Sequence, residues 1–129
     1  MRRLIITLGI VFFFISCGDM FATRKQLFNN YYLVESEVKR DFGIYYKTEG
    51  GDFIGRVPKG VFKYDIVGDS LIFAQTKNSI DSIEFYIIDI KKDHIYAESN
   101  DAIIGPISQT DFANQWSRNY KLSFKNVIE

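Results

Sequence analysis

Cys17 and His94 are each the only residue of their type in this chain of 129 residues, and both types can do chemistry. A histidine acts as a catalytic base when a carboxylate orients it and a nucleophile lies within reach. Asp93 precedes His94, and Ser99 or Ser123 could serve as the nucleophile. Adjacent residues on a strand point to opposite faces, however, so Asp93 is poorly placed to orient His94. We therefore predict that the chain is not an enzyme.

The other polar residues predict no cofactor and no metal site. A metal site built on His94 would need further ligands, and only carboxylates are available. Six aspartates come mostly at predicted turns, where such side chains bind the local backbone: Asp65, Asp69, Asp81, Asp89, Asp93 and Asp101. No calcium-binding loop pattern is present. Two carboxylates from distant strands could support glycoside hydrolysis, but nothing in the sequence singles out such a pair.

Cys17 follows a segment with the plan of an export signal. Arg2 and Arg3 supply positive charge, and residues 4–15 are almost wholly apolar. A bilayer core needs about 20 residues to cross, so this shorter stretch fits a secretory signal instead. Phe14-Ile15-Ser16-Cys17 resembles the bacterial lipobox, in which the cysteine is acylated and becomes the mature N-terminus. The alternatives are an ordinary signal peptide with an incidental cysteine and an uncleaved anchor.

The lipobox divides the chain into a signal peptide at 1–16, a tether at 17–28 and a single β-rich domain at 29–129. Acyl chains such as palmitate on Cys17 would hold the domain on a membrane of the bacterial cell envelope, on its periplasmic or surface side, because two or more chains anchor stably. Removing the signal leaves 14 basic and 16 acidic residues, which excludes an electrostatic footprint for nucleic acid. The exported domain would contain no disulfide, so burial of its aromatic rings must stabilise it.

Short β-type runs alternate with turn signals from Tyr31 onward, which predicts a mainly β domain. We expect an antiparallel sheet, sandwich or small barrel of about six to eight strands, after an N-terminal signal helix. Turns are predicted at 49–52, 58–60 and 68–70, and the long apolar run at 83–90 is the predicted central strand. The predicted strands are 31–34, 43–47, 53–57, 61–67, 71–75, 83–90 and 94–98.

One helix is predicted near the C-terminus, at about 108–120. Ser108 is a good N-cap, and Asp111 three residues later is typical of a capping box. An aromatic stripe recurs at every fourth position, formed by Phe112, Trp116 and Tyr120. Such a stripe favours a helix that packs on the sheet over an exposed ladder that binds a ligand.

The C-terminal part of the chain resembles a family of proteins. Tyr86-Ile87-Ile88-Asp89, then a spacer, then Gly105-Pro106-Ile107-Ser108 and Phe112, is similar to the close of an uncharacterised family of small bacterial lipoproteins. Members of that family share the pattern Y-x-I-x-D … G-P-[LI]-S-x-x-x-F. Gly105 and Pro106 act as breakers ahead of the helix. The pattern marks a strand, a turn and a helix cap, so the resemblance implies a fold and an envelope location and leaves the activity open.

The tyrosines are the residues best suited to binding a partner. Neighbours on a strand point to opposite faces, so one ring of Tyr31-Tyr32 and one ring of Tyr45-Tyr46 can face solvent. Tyr32 and Tyr45 are the candidate partner-binding residues, because exposed tyrosines recognise protein or sugar at low entropic cost. The simpler alternative is cross-strand pairing on a β surface.

These features favour a monomeric, non-enzymatic module that binds an unknown envelope protein. One version of that function is an inhibitor or immunity protein against an exported toxin or hydrolase, by analogy alone. The alternative function is a carrier of a small ligand, a lipid or glycan, in an aromatic-lined cup. An apolar cavity would favour the carrier and a densely filled core would oppose it.

Overall fold

The computed structural model describes residues 24–94 and 99–128. Within these residues the chain forms one open antiparallel sheet of eight strands and two short helices, which confirms the predicted mainly β fold. The strands are β1 (Arg24–Phe28), β2 (Tyr31–Glu35), β3 (Phe42–Lys47), β4 (Phe53–Val67), β5 (Leu71–Lys77), β6 (Ile83–Asp89), β7 (Ile103–Ser108) and β8 (Lys125–Asn126). The helices are α1 (Ser99–Ala102) and α2 (Gln109–Gln115).

Strands β1 to β7 lie side by side in chain order, and β8 pairs with β4. Short connections make this order the expected one, because consecutive antiparallel strands pair most easily with each other. Two predicted turns are confirmed. The N–H of Thr48 donates to the carbonyl of Asp52 at 2.8 Å, and that of Ser70 donates to Val67 at 3.3 Å.

The turn predicted at 58–60 is wrong, because β4 is one continuous strand of 15 residues. Gly60 has a φ of 77°, and its N–H donates to Oδ1 of Asp41 at 2.8 Å. The ladder also shifts register beside Val61. A glycine at positive φ in a bulge bends a strand without reversing it. As a result, the first half of β4 pairs with β3 and the second half pairs with β5.

Three more elements differ from expectation. β1 pairs with β2 at Arg24–Phe28, within the stretch assigned to the tether, so the sheet includes the end of that stretch. The run at 83–90 forms β6, which lies next to the edge strand β7 and not at the centre of the sheet. Gly105 and Pro106 lie inside β7, where a proline is tolerated because an edge strand has one unpaired side.

The predicted strand at 94–98 falls outside the described residues except for His94, and so does the predicted signal helix.

Helix α2 begins as predicted. Ser108 is its N-cap, and the hydroxyl oxygen accepts a hydrogen bond from the N–H of Asp111 at 3.2 Å. The helix is shorter than predicted. The hydroxyl of Ser117 and the amide of Asn119 bond to carbonyls of the last turn, at 3.0 and 2.7 Å, and so compete with a further helical turn.

Two clusters of buried side chains lie on opposite faces of the sheet. Ile72 and Ile88 belong to the first cluster, whereas Phe73 and Ile87 beside them belong to the second. This alternation follows from the pleat, which sends successive side chains to opposite faces. We call the face of the first cluster, contributed by β2 to β6, the inner face. The opposite face is the outer face, and α2 packs on its β6–β7 region.

Candidate partner-binding surface

Tyr32 and Tyr45 lie directly opposite each other on β2 and β3. Their strand neighbours Tyr31, Leu33 and Ile44 are buried in the inner cluster. Alternation along each strand therefore places Tyr32 and Tyr45 on the outer face. Both side chains are half-buried. The two residues that the sequence singled out thus share one face and one position in the ladder.

Phe53 on β4 extends this aromatic surface. Its ring meets that of Tyr32 edge to face, with centroids 5.6 Å apart and planes at 86°, a favourable arrangement. Two cations lie over the same rings. The guanidinium of Arg24 is 4.6 Å from the centroid of Phe53, and Nζ of Lys47 is 5.5 Å from that of Tyr32. We call Arg24, Tyr32, Tyr45, Lys47 and Phe53 the outer patch.

The ring of Tyr45 packs over the backbone of two glycines, Gly43 and Gly55. A Cβ added to Gly43 would lie 2.8 Å from the ring of Tyr45, and one added to Gly55 would lie 3.5 Å from it. The Tyr45 hydroxyl donates to the carbonyl of Pro58 at 3.5 Å. These contacts hold the ring against β3 and β4. The side chain of Tyr45 therefore has a set position on the sheet.

A buried ion pair lies on the inner side of the same strands. Oδ2 of Asp93, just after β6, accepts from Nε of Arg56 at 2.9 Å and from the hydroxyl of Tyr31 at 2.7 Å. Nη2 of Arg56 also donates to the carbonyl of His94 at 2.9 Å. The side chains of Arg56 and Asp93 are 4% and 0% exposed. This buried cluster, Tyr31, Arg56 and Asp93, joins the end of β6 to β2 and β4.

Burial raises the pKa of Tyr31 above its usual value, and the hydrogen bond to Asp93 and the charge of that carboxylate raise it further. A phenolate beside a buried carboxylate would be strongly disfavoured, so Tyr31 stays protonated and donates. The other oxygen of Asp93, Oδ1, is buried too and finds no hydrogen-bond partner within 24–94 and 99–128. The buried cluster is therefore a structural clamp at neutral pH.

The sequence did not reveal the buried cluster. It placed Asp93 at a turn and considered it as a partner for His94, whereas its carboxylate turns inward to Arg56. These two residues lie 37 positions apart in the chain, so no local spacing connects them. The one available signal was Arg56 itself, a cation within an apolar strand.

A second aspartate is buried in the sheet. Asp65 lies within β4, inside the strand predicted at 61–67, and is 8% exposed. Its Oδ2 accepts from the N–H of Ser123 at 2.7 Å, which fastens the C-terminal segment to the sheet. The backbone of Ser123, a candidate nucleophile in the sequence, therefore has a structural role.

The sequence offered candidate residues for binding a metal ion and for anchoring the chain to a membrane. Among the residues that the structure describes, no three His, Cys, Asp or Glu side chains come together in a way that could hold a metal ion. The described helices are also too short or too polar for any of them to span a bilayer. Cys17 and the predicted signal peptide lie outside the described residues, so lipidation stays a prediction.

Two hollows open beside the bend of β4. The larger has a volume of about 350 Å³ and the smaller about 180 Å³. The larger is lined by Asp41, Lys59, Gly60, Lys77, Asn78 and Ser79. None of the fully buried residues of the inner cluster lines either hollow.

Comparisons with known proteins add no relative: no family model, no curated protein and no solved structure matches this chain. The resemblance to small bacterial lipoproteins therefore stays a prediction. In the structure its two halves begin on adjacent strands, Tyr86 on β6 and Gly105 on β7, and the second half passes through the N-cap Ser108 to Phe112 in α2. What the fold and surface define is a small antiparallel β domain with an aromatic and cationic patch on one sheet face.

Proposed function

We propose that this protein is a lipoprotein of the bacterial cell envelope, tethered to a membrane through acyl chains on Cys17. Its β domain binds another envelope protein through the outer patch and performs no catalysis. The observation that carries this proposal is the cross-strand pair of Tyr32 and Tyr45, extended by Phe53, on the part of the outer face that α2 does not contact.

The composition of the outer patch suits protein recognition. Tyrosine and arginine are enriched among the residues that contribute most to binding energy in protein interfaces. The contacts of Tyr45 with Gly43 and Gly55 fix its ring before binding. A side chain that is already ordered loses less entropy when the complex forms. The patch is therefore suited to contribute affinity with little rearrangement.

The packing of the inner cluster supports a binding module over a ligand carrier. Ile44, Val57 and Ile72 in the inner cluster are each 0% exposed. Within 24–94 and 99–128, the two hollows at the bend of β4 are lined largely by charged and polar residues. An inhibitor or immunity protein that occludes an exported toxin or hydrolase is one concrete version of the proposed function.

Site-specific photocrosslinking in the native host tests the proposed partner. The full-length chain carries a photoreactive phenylalanine analogue in place of Tyr32, and the control carries it in place of Lys121, an exposed residue beyond α2. We expect one dominant protein adduct from position 32 and none from position 121. Equal adducts from both positions, or none from position 32, would contradict binding through the outer patch.

A separate experiment tests the tether. Cys17→Ser should release the protein from membranes or leave its signal uncleaved, and the wild type should carry the added mass of acyl chains on Cys17. A Cys17→Ser protein that fractionates and migrates like the wild type would refute lipidation.

A further inference from the structure

We infer that the partner presents an acidic segment, a run of closely spaced aspartate or glutamate carboxylates, to the outer patch. This inference rests on the proposed function and names the chemistry that the surface recognises. Its basis is the position of two cations, Arg24 and Lys47, against the half-buried rings of one aromatic surface.

The positive charge of the outer patch is local and does not follow from composition. The whole chain has 16 basic and 16 acidic residues, a formal net charge of zero. The outer patch contains two cations and no carboxylate among its five residues. Complementary charge across an interface steers encounter and selects partners, so such a patch favours an anionic one.

Neither cation is neutralised by this chain's own carboxylates in the described part of the structure. Across 24–94 and 99–128, the one ion pair is that of Arg56 with Asp93, on the inner side. Arg24 and Lys47 contact rings instead, with Lys47 Nζ also 5.9 Å from the centroid of Phe53. Their charges therefore remain open to carboxylates supplied by a partner.

The ring contacts also prepare the cations for binding. An arginine held over an aromatic face keeps the N–H groups of its planar fork available to a carboxylate. The stacked side chain has already lost part of its freedom, which lowers the entropic cost of a new ion pair.

The number of cations favours a protein segment over a lipid surface. Recruitment to anionic lipid typically uses clusters of about four to eight Lys or Arg, and the outer patch has two. The other three residues of the patch are aromatic, and their rings can pack against the apolar side chains that accompany carboxylates in a protein segment. An anionic vesicle is therefore the competing probe in the test.

The test uses the isotope-labelled full chain, acylated and held in nanodiscs of phosphatidylcholine, with amide chemical shifts as the readout. The probe is a capped Glu-Glu-Tyr-Glu-Glu peptide, and the matched control peptide has glutamine in place of each glutamate. We expect millimolar-range binding of the acidic peptide with shifts confined to β1 to β4. We expect no comparable shifts with the glutamine peptide.

Removal of the two cations provides the matched variants. Arg24→Gln with Lys47→Gln should weaken binding of the acidic peptide at least tenfold. Lys121→Gln with Lys125→Gln removes two exposed lysines outside the patch and should leave the affinity unchanged. A salt titration of the wild type gives an independent readout if the first variant fails to fold, because added salt screens an exposed ion pair and should weaken binding.

Several outcomes would overturn the inference: no binding of the acidic peptide, equal binding of both peptides, or affinity unaffected by salt. Displacement of the peptide by phosphatidylglycerol vesicles, with tighter binding to the vesicles, would assign the patch to lipid and overturn it too. A photoadduct from position 32 to a partner surface without acidic residues would leave the proposed function intact and refute this inference alone. Peptide binding without any adduct would refute the proposed function instead.

Discussion

The outer face of the sheet has two halves that contain similar aromatic residues in different surroundings. Over β5 and β6, Phe73 and Phe85 are 0% and 5% exposed, and the ring of Phe112 from α2 stacks on Phe85 with centroids 3.8 Å apart. Over β1 to β4, Tyr32 and Phe53 meet each other and two cations. One half is completed by its own chain, and the other half presents its rings at the surface.

The difference shows that ring content does not decide which half of a sheet face becomes core. The covered half lies beside β7, which leads directly into α2, so a short segment of chain can fold back over it. The half formed by β1 to β4 keeps its order through its inner side, where the buried cluster ties β2 and β4 to the end of β6. Because these inner-side contacts hold the strands together, the outer patch does not need a covering segment to keep the strands in place.

The largest expected effect is on the covered half. Phe112→Ala removes the ring that stacks on Phe85 and contacts Phe73, and should lower the free energy of unfolding by about 3–5 kcal/mol. Urea denaturation measures the loss. A loss below about 1 kcal/mol would show that the cover contributes little, since exposed sites typically lose that or less.

The next effect is on the clamp beneath the patch. Asp93→Ala leaves the guanidinium of Arg56 buried without its counter-ion, and such losses cost about 3 kcal/mol or more. Asp69→Ala, at an exposed turn, is the control and should change stability little. Similar urea midpoints for the two variants would contradict the role of the buried cluster in stabilising the half formed by β1 to β4.

The pH dependence of the free energy of unfolding tests the same buried cluster. The pKa of Tyr31 is raised in the folded state. The stability that the protonated hydroxyl contributes is therefore complete below the unfolded pKa of about 10, and it decreases as the pH rises above that value. The loss from this group is at most about 1.4 kcal/mol per pH unit. Tyr31→Phe should therefore show a shallower fall in unfolding free energy between pH 10 and 11 than the wild type. An unchanged slope would remove Tyr31 as the source of alkaline sensitivity.

The cap of the covering helix has a smaller effect. Ser108→Ala removes the oxygen that accepts from the N–H of Asp111, and should cost about 1 kcal/mol. Thr110→Ala alters an exposed position of the same helical turn without touching the cap, and serves as the control. Equal thermal midpoints for the two variants would argue that α2 is held by its rings alone.

The smallest effect on stability is expected in the outer patch. Tyr32→Ala with Tyr45→Ala removes one cross-strand pair, which contributes about 0.2–1 kcal/mol in a typical sheet. The same double variant should lose the partner captured by the wild type. A large loss of stability with binding retained would show that these rings stabilise the fold, as those of the covered half do, and do not bind the partner.

Local signals in the sequence accounted for most of the strands and for the start of α2. They failed at Gly60, where a turn-like Pro-Lys-Gly lies inside β4, and at Gly105-Pro106, which lies in an edge strand. In both places the local preference for a turn was overridden by pairing with neighbouring strands. Only part of the outer patch could be predicted from the sequence. Alternation proposed Tyr32 and Tyr45, but Phe53 and the two cations join them only through contacts across strands.

The sequence by itself determined the β character of the domain, the N-cap at Ser108 and the prediction of a lipid anchor at Cys17. Each of these depends on residues a few positions apart, where strand alternation, hydroxyl capping and signal recognition operate. Only the tertiary structure decided that Asp93 clamps Arg56, that Tyr32 faces Tyr45, and that α2 covers one half of the outer face. Those outcomes depend on register and on contacts between distant segments, whose free energy is gained only when the whole sheet assembles.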